Sequence, residues 1–428
     1  MSLTHPMTRE ERSWILYDAG NSAFVLVMVT AIMPLFYKEF AAGHLPGAVS
    51  TAHWGYANSG ASLILALLAP VLGAVADYKQ WKKAFFVGFL CLGLIFTLAL
   101  TTIHEGAWLL CLAFFVIARV GWAGANIFYD AFLVDVTSRE RMDTISARGY
   151  GFGYIGSVIP FMIVIGLLVS GGMADGLPVF ETRLGFACVA LWWLLLSLPA
   201  IKNLRQVHLP DTPRTALPNG LPNGLPNGLQ QLLSTFREIK QHKQVFAFLL
   251  AYFFYIDGVG TIISMSTAYG RDLGFGVPML IGVLLFIQLT AFPFALLFGR
   301  LATLFTTKKM LLAGIFIYCV VTLLAFFLPS IDNLTLKTGL FWCIAFLVAA
   351  AMGGVQALSR SYFGKLIPPH KSSEFFGFYN VFGKFAAITG PLLMGLVGHM
   401  TGNTRWGVLS LLLLFAAGAL LLMRLEQE

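Results

Sequence analysis

The sequence predicts an all-α membrane protein with twelve transmembrane helices in two pseudo-symmetric six-helix halves. Three observations carry that expectation. Apolar residues come in blocks of about twenty, separated by short polar segments; roughly 20 helical residues span a hydrocarbon core about 30 Å thick. Of the 428 residues 58% are hydrophobic and 11% charged, with a mean hydropathy of +0.79, so charges are too few to coat soluble domains of this length. Lysines and arginines fall mostly on one side of the alternating topology, as the positive-inside rule requires. Without water to satisfy the backbone, a single spanning segment has to be helical.

The spans are expected at about 15–38, 54–76, 84–104, 107–128, 148–170 and 183–201, then at about 245–267, 277–300, 309–330, 339–358, 375–398 and 405–424. The first contains Asp18 and Asn21 early and no small-residue cleavage site follows it, so it reads as a membrane helix and not a removable signal. The organisation is an N-terminal half at 1–201, a linker at 202–243 and a C-terminal half at 244–428. Counting basic residues along this topology places 21 on the side of the termini and linker and 5 on the other, with Arg119 and Lys384 inside helices. Both termini and the linker are therefore expected in the cytoplasm. The linker holds LPNGLPNGLPNG at 217–228, a tandem Pro-Gly turn unit that builds neither helix nor core and reads as a tether. The segment after it can form an interfacial helix, with Leu229, Leu232, Leu233 and Phe236 toward lipid and Arg237, Lys240 and Lys243 polar.

Several function classes fall away. The net charge is +8, but the bases sit in short clusters between apolar blocks, so no nucleic-acid partner is expected. The five cysteines lie inside apolar blocks with no CxxC and no metal-ligand spacing; they read as small hydrophobes. No serine–histidine–acid cluster lies in the spans and no nucleotide-binding motif is present. Neither catalytic residues, metal nor cofactor are expected. Energy has to come from a gradient, or movement is downhill.

The two halves repeat each other. GAVADYKQWKK (73–83) parallels GRLATLFTTKK (299–309), with ten residues from the glycine to the second lysine in both. Asp77 then matches Thr303. GANIFYDAFLVD (124–135) lies against GVQALSRSYFGK (354–365), which matches Asp130 with Arg360 and Asp135 with Lys365. Acids in one half face bases in the other, so Gly73, Asp77, Lys82, Lys83, Asp130, Asp135, Arg360 and Lys365 are candidates for a breakable latch. Local pairing within each half is the alternative. Two six-helix repeats around a central site are the architecture of an alternating-access carrier.

Ionisable groups deep in spans are costly and mark pathways. Asp257, in FFYIDGVGTIISMST with apolar flanks, is the leading candidate for binding substrate or a coupling proton. Asp18, in YDAGNSAF, shares a helical face with Asn21; it can line a cavity or serve as a helix-start acid. Arg119 and Lys384 are the bases within helices, with Asn126, Asn380 and Gln356 as polar neighbours. A structural salt bridge is the plainer role for Arg119.

The glycine, the acid four residues on and the basic cluster at Gly73, Asp77, Lys82 and Lys83 resemble the loop between helices two and three of major facilitator superfamily carriers, with Trp81 where that pattern has glycine. YDAGNSAF, FYDAFLVDV, FFYIDGVGTI, GGVQALSRSYFGKLIPP, EFFGFYNVFGK and TGPLLMG, spread over residues 17–395, resemble the UMF1 branch, related to the vacuolar autophagy-associated (Atg22-like) effluxers. The resemblance implies a monomeric twelve-helix carrier of a small solute in the bilayer of a bacterial inner membrane. It also implies amino-acid transport, and Asp257 or Asp18 can take a proton, which makes protons the candidate coupling partner. A carrier fold serving as a sensor or scaffold is the alternative. So is a facilitated exporter of peptides, sugars, organic acids or drugs.

Overall fold

A computed structural model describes residues 6–172, 176–209, 237 and 240–425. The LPNG repeats and almost all of the expected interfacial helix lie outside the described residues. Among the described residues twelve helices are long and apolar enough to cross a membrane, one for each expected span. They are α1 (Arg9–Ala41), α2 (Gly47–Lys79), α3 (Lys82–Ala99), α4 (Trp108–Ala131), α5 (Met142–Ser170), α6 (Val179–Asn203), α7 (Lys243–Asp272), α8 (Val277–Leu304), α9 (Thr307–Phe327), α10 (Leu334–Leu366), α11 (Ser372–Thr401) and α12 (Thr404–Met423).

Local chemistry sets several boundaries. At the start of α1, the Thr8 hydroxyl accepts from Glu11 N (3.1 Å) and the Glu11 carboxylate accepts from Thr8 N (2.9 Å), a reciprocal capping box that satisfies two otherwise unpaired donors. Asn333 caps α10 and Asn403 caps α12 through their side-chain oxygens. Gln80, at φ 60°, turns the chain left-handed between α2 and α3. α1 is irregular: it is π-helical over Phe24–Ala31 and Tyr37–Ala41. The bonds Ile32 N to Val27 O (2.9 Å) and Ala42 N to Tyr37 O (2.7 Å) skip an extra residue. Pro34 lies between these segments and lacks the N–H that would keep the regular ladder.

The chain forms two compact units. One comprises 1–138, 152–231 and 368–378; the other 139–151, 232–367 and 379–428. This differs from a simple division at the linker. The first turns of α5 pack with the C-terminal helices, and those of α11 with the N-terminal helices. Within the units the repeat is explicit. The first pairs α1 with α6, α2 with α4, and α3 with α4 and α6. The second pairs α7 with α12, α8 with α10, and α9 with α10 and α12, every number advanced by six. Large apolar residues such as Leu63, Leu67, Leu191 and Leu413 stay exposed on the spans, as lipid-facing side chains do. Cys91 and Cys343 are exposed as well and Cys111 is buried, so burial is not the common property of the cysteines.

Candidate functional site

Two short segments of like pattern place the membrane acids. Asp18 and Ser22 on α1, and Asp257 and Thr261 on α7, are each four residues apart and so share a face. Each pair packs on a glycine of a crossing helix. A methyl on Gly153 of α5 would lie 2.7 Å from the Ser22 hydroxyl, and one on Gly390 of α11 would lie 2.7 Å from Asp257 Oδ1 and overlap the Thr261 hydroxyl.

The two acids differ in how they are satisfied. Asp18 Oδ2 accepts from the Tyr129 hydroxyl (3.0 Å) and Oδ1 from Asn21 Nδ2 (3.4 Å). Asn21 Oδ1 in turn accepts from Trp122 Nε1 (3.1 Å) and Asn126 Nδ2 (3.2 Å), tying α1 to α4. Asp257 is fully buried, at 0% exposure. Its Oδ1 accepts from Gly390 N at 2.8 Å, while Oδ2 is buried with no partner among the described residues. A desolvated carboxylate oxygen left unpaired costs free energy, and a proton, a cation or a hydrogen-bond donor relieves it. Of the other sequence candidates, Arg119, Asn126, Gln356, Asn380 and Lys384 are half-buried on α4, α10 and α11. Asn126 is tied to the Asp18 cluster through its bond to Asn21.

A second constellation lies where the basic residues gather, and both units contain one. In the first, Asp77 (4% exposed) sits at the start of α11. Its Oδ1 accepts from Ser373 N (3.1 Å) and its Oδ2 from Glu374 N (2.9 Å), donors that a helix start leaves free. Lys82, fully buried, donates to Asp135 Oδ2 and Ser372 Oγ, both at 2.7 Å, and lies 3.9 Å from Asp77. Asp135 Oδ1 accepts from the backbone N–H of Val207 (2.9 Å) and His208 (3.1 Å), which ties down the start of the linker. Gly73 permits this approach, because a methyl there would overlap the Ser373 carbonyl.

In the second unit Asp143, at the start of α5, takes three donors: Ser361 Oγ (2.6 Å), Lys365 Nζ (2.7 Å) and Thr307 Oγ1 (2.8 Å). Arg360 donates from Nε to Ser146 Oγ (3.0 Å) and from Nη2 to Ser146 O (3.1 Å), and lies 4.3 Å from the Tyr150 ring centroid. Gly299 matches Gly73: a methyl there would overlap Ala147 of α5. Thr303, the counterpart of Asp77, is exposed and donates to its own Arg300 carbonyl (2.7 Å). The acid of this second constellation therefore comes from α5.

This corrects the expected pairing of Asp135 with Lys365. Asp135 is taken by Lys82 and the linker backbone, and Lys365 by Asp143. Arg360, matched with Asp130 by the repeat, also donates to Ser146 of α5, and Asp130 is half-buried at the end of α4. The physical reason is that the first turns of α5 and α11 supply the partners, and comparison of the loops alone did not include them. Lys83 stands apart from the network and reaches the Lys202 carbonyl (3.5 Å). Ser372, Asp143, Ser146, Thr307 and His208 were missed. The repeat could have pointed to Asp143, which stands 230 residues before Ser373, the offset that also joins Asp135 to Lys365. Among the described residues no group of three or more His, Cys, Asp or Glu is placed to hold a metal ion.

Residues 7–138 and 134–428 match the family described as vacuole effluxer Atg22 like. The chain is 46% identical over 426 residues to an uncharacterized MFS-type transporter, YxiO, of Bacillus subtilis (strain 168), covering 98% of this chain and 96% of the relative. It is 24% identical to autophagy-related protein 22 of Coccidioides immitis (strain RS), covering 89% and 73%. Among solved structures, the MFS proton:xylose symporter XylE bound to 6-bromo-6-deoxy-D-glucose superposes with a TM-score of 0.71 at 13% identity, covering 98% of this chain and 95% of that one. That likeness shows the fold.

Proposed function

Because this chain belongs to the vacuole effluxer Atg22-like family of the major facilitator superfamily, we propose that it is a secondary transporter moving a small solute across a lipid bilayer by alternating access, with Asp257 as the coupling group. The observation that carries the assignment of Asp257 is its buried, unpartnered Oδ2 beside an Oδ1 held by Gly390 N. A group in that state changes its energy sharply when a proton or a substrate donor arrives, and a carrier uses such a difference to bias one conformation over another. Asp18, already held by Tyr129 and Asn21, serves as a clamp between α1 and α4. The constellations around Asp77, Lys82 and Asp135, and around Asp143 and Lys365, act as the latches that open and re-form in each cycle.

Amino acids, the solute class implied by the sequence resemblance, are the first substrates to test, with protons as the driving ion. The excess of basic residues on the side of the termini supports a cytoplasmic location for both. A relative of 46% identity in Bacillus subtilis supports the plasma (inner) membrane of a bacterium. The protein acts as a single twelve-helix bundle. The test is uptake of a labelled amino-acid mixture into proteoliposomes, with and without an imposed proton gradient, for the native protein and Asp257→Asn. Gradient-driven uptake that the variant loses is the expected result. Saturable uptake indifferent to the gradient would remove proton coupling. Absence of uptake for every solute class and gradient would favour a carrier-fold sensor instead.

A further inference from the structure

α11 is gripped through its backbone by carboxylates from two other helices. At its start, Asp77 of α2 accepts from Ser373 N and Glu374 N (3.1 and 2.9 Å). Further along, Asp257 of α7 accepts from Gly390 N (2.8 Å). The seventeen residues from Glu374 to Gly390 contain no proline and are helical throughout, a rod of about 24 Å at 1.5 Å per residue step. Just beyond Gly390, Pro391 removes one donor from the ladder, so the helix is weakest at the point Asp257 holds.

We propose that α11 is the lever that transmits the state of Asp257 to the Asp77 latch. The carboxylate, held by Gly390 N, sets the position of the rod. A hydrogen bond to an ionised acceptor is about twice as strong as one to a neutral acceptor. Neutralising Asp257 therefore loosens the Gly390 end, and a stiff helix carries the displacement to Ser373 and Glu374. Gly390 is a positioning residue here: any side chain would overlap the Thr261 hydroxyl and crowd Asp257 Oδ1. The proposal rests on the reading of Asp257 as the coupling group, but its test separates the two.

The test is backbone hydrogen exchange of the purified full chain, following amides at 372–379 and, as a control, at 86–98 in α3. Variants are Asp257→Asn, Gly390→Ala and, as a reference for a released latch, Asp77→Asn. Asp257→Asn and Gly390→Ala are expected to speed exchange at 372–379 at least threefold, in the direction of Asp77→Asn, with α3 unchanged. If Asp77→Asn speeds exchange there and neither of the others does, the lever is overturned. An equal rise in α3 would be general loosening and also overturns it. Either of the two variants suffices if the other fails to fold. Uptake measured on the same preparations tells the readings apart: loss of uptake without a change at 372–379 leaves the coupling role standing and removes the lever. Faster exchange with full gradient-driven uptake keeps the lever and removes the coupling role.

Discussion

Replacing Asp143 and Lys365, singly and together, tests whether the second constellation is one interacting unit. Their side chains are 4% and 9% exposed, and the ammonium lies 2.7 Å from the carboxylate. Asp143→Ala removes the acceptor of all three donors and takes the carboxylate away from the Lys365 ammonium, which keeps the Thr307 hydroxyl at 2.8 Å. Breaking one side of a buried pair costs about 3–5 kcal/mol. Lys365→Met leaves Asp143 with the hydroxyls of Ser361 and Thr307, so only one charge-assisted bond is lost and the cost is about 2 kcal/mol. The double variant has neither a base without this acid nor an acid without this base. It is expected to be more stable than the sum of the singles by about 1.5 kcal/mol or more. Reversible unfolding in mixed detergent micelles measures this. Additivity within about 0.5 kcal/mol would refute the reasoning, because residues that share no interaction add to that precision. Asp135 with Lys365, the pairing drawn from the repeat alignment, is expected to give that additive result.

Two further outcomes are expected from stability measurements in detergent. Gly73→Ala forces a methyl into the Ser373 carbonyl and costs about 1–3 kcal/mol, whereas Gly60→Ala, on the same helix with nothing within 4 Å, is neutral or stabilising by up to about 1 kcal/mol; equal melting shifts would remove the close approach of α2 to α11. Asp135→Ala leaves fully buried Lys82 without its acid at 2.7 Å and costs about 3 kcal/mol or more. His208→Ala keeps both backbone donors to Asp135 and alters an imidazole 43% exposed, so its cost is under about 1 kcal/mol. A His208 effect as large as that of Asp135 would mean the imidazole, and not the backbone, holds the linker.

The number of spans and their repeat were legible because both are local or periodic properties. A block of twenty apolar residues is a crossing helix in any fold that spans a bilayer. Ten residues from Gly73 to Lys83 and again from Gly299 to Lys309 mark one supersecondary unit used twice. Asp257 was legible for the same reason, since a carboxylate between apolar flanks is conspicuous whatever packs on it. Its unpartnered oxygen was not legible, because that depends on Gly390, 133 residues away.

Partner choice was a different matter. Asp135 and Lys365 each had several candidates of opposite charge or matching polarity, and the matching of the two loops paired them with each other. Tertiary structure decided otherwise by sending the first turns of α5 and α11 into the opposite compact units. There Asp143 receives Lys365, and Ser372 receives Lys82. The sequence by itself determined where the chain crosses the membrane and which groups are too costly to bury without a purpose, since those follow from hydration energies of the residues alone. Which group answers which depends on helix crossings that bring positions more than two hundred residues apart, such as Asp143 and Lys365, within a hydrogen bond's reach. Hydropathy along the chain does not encode that distance.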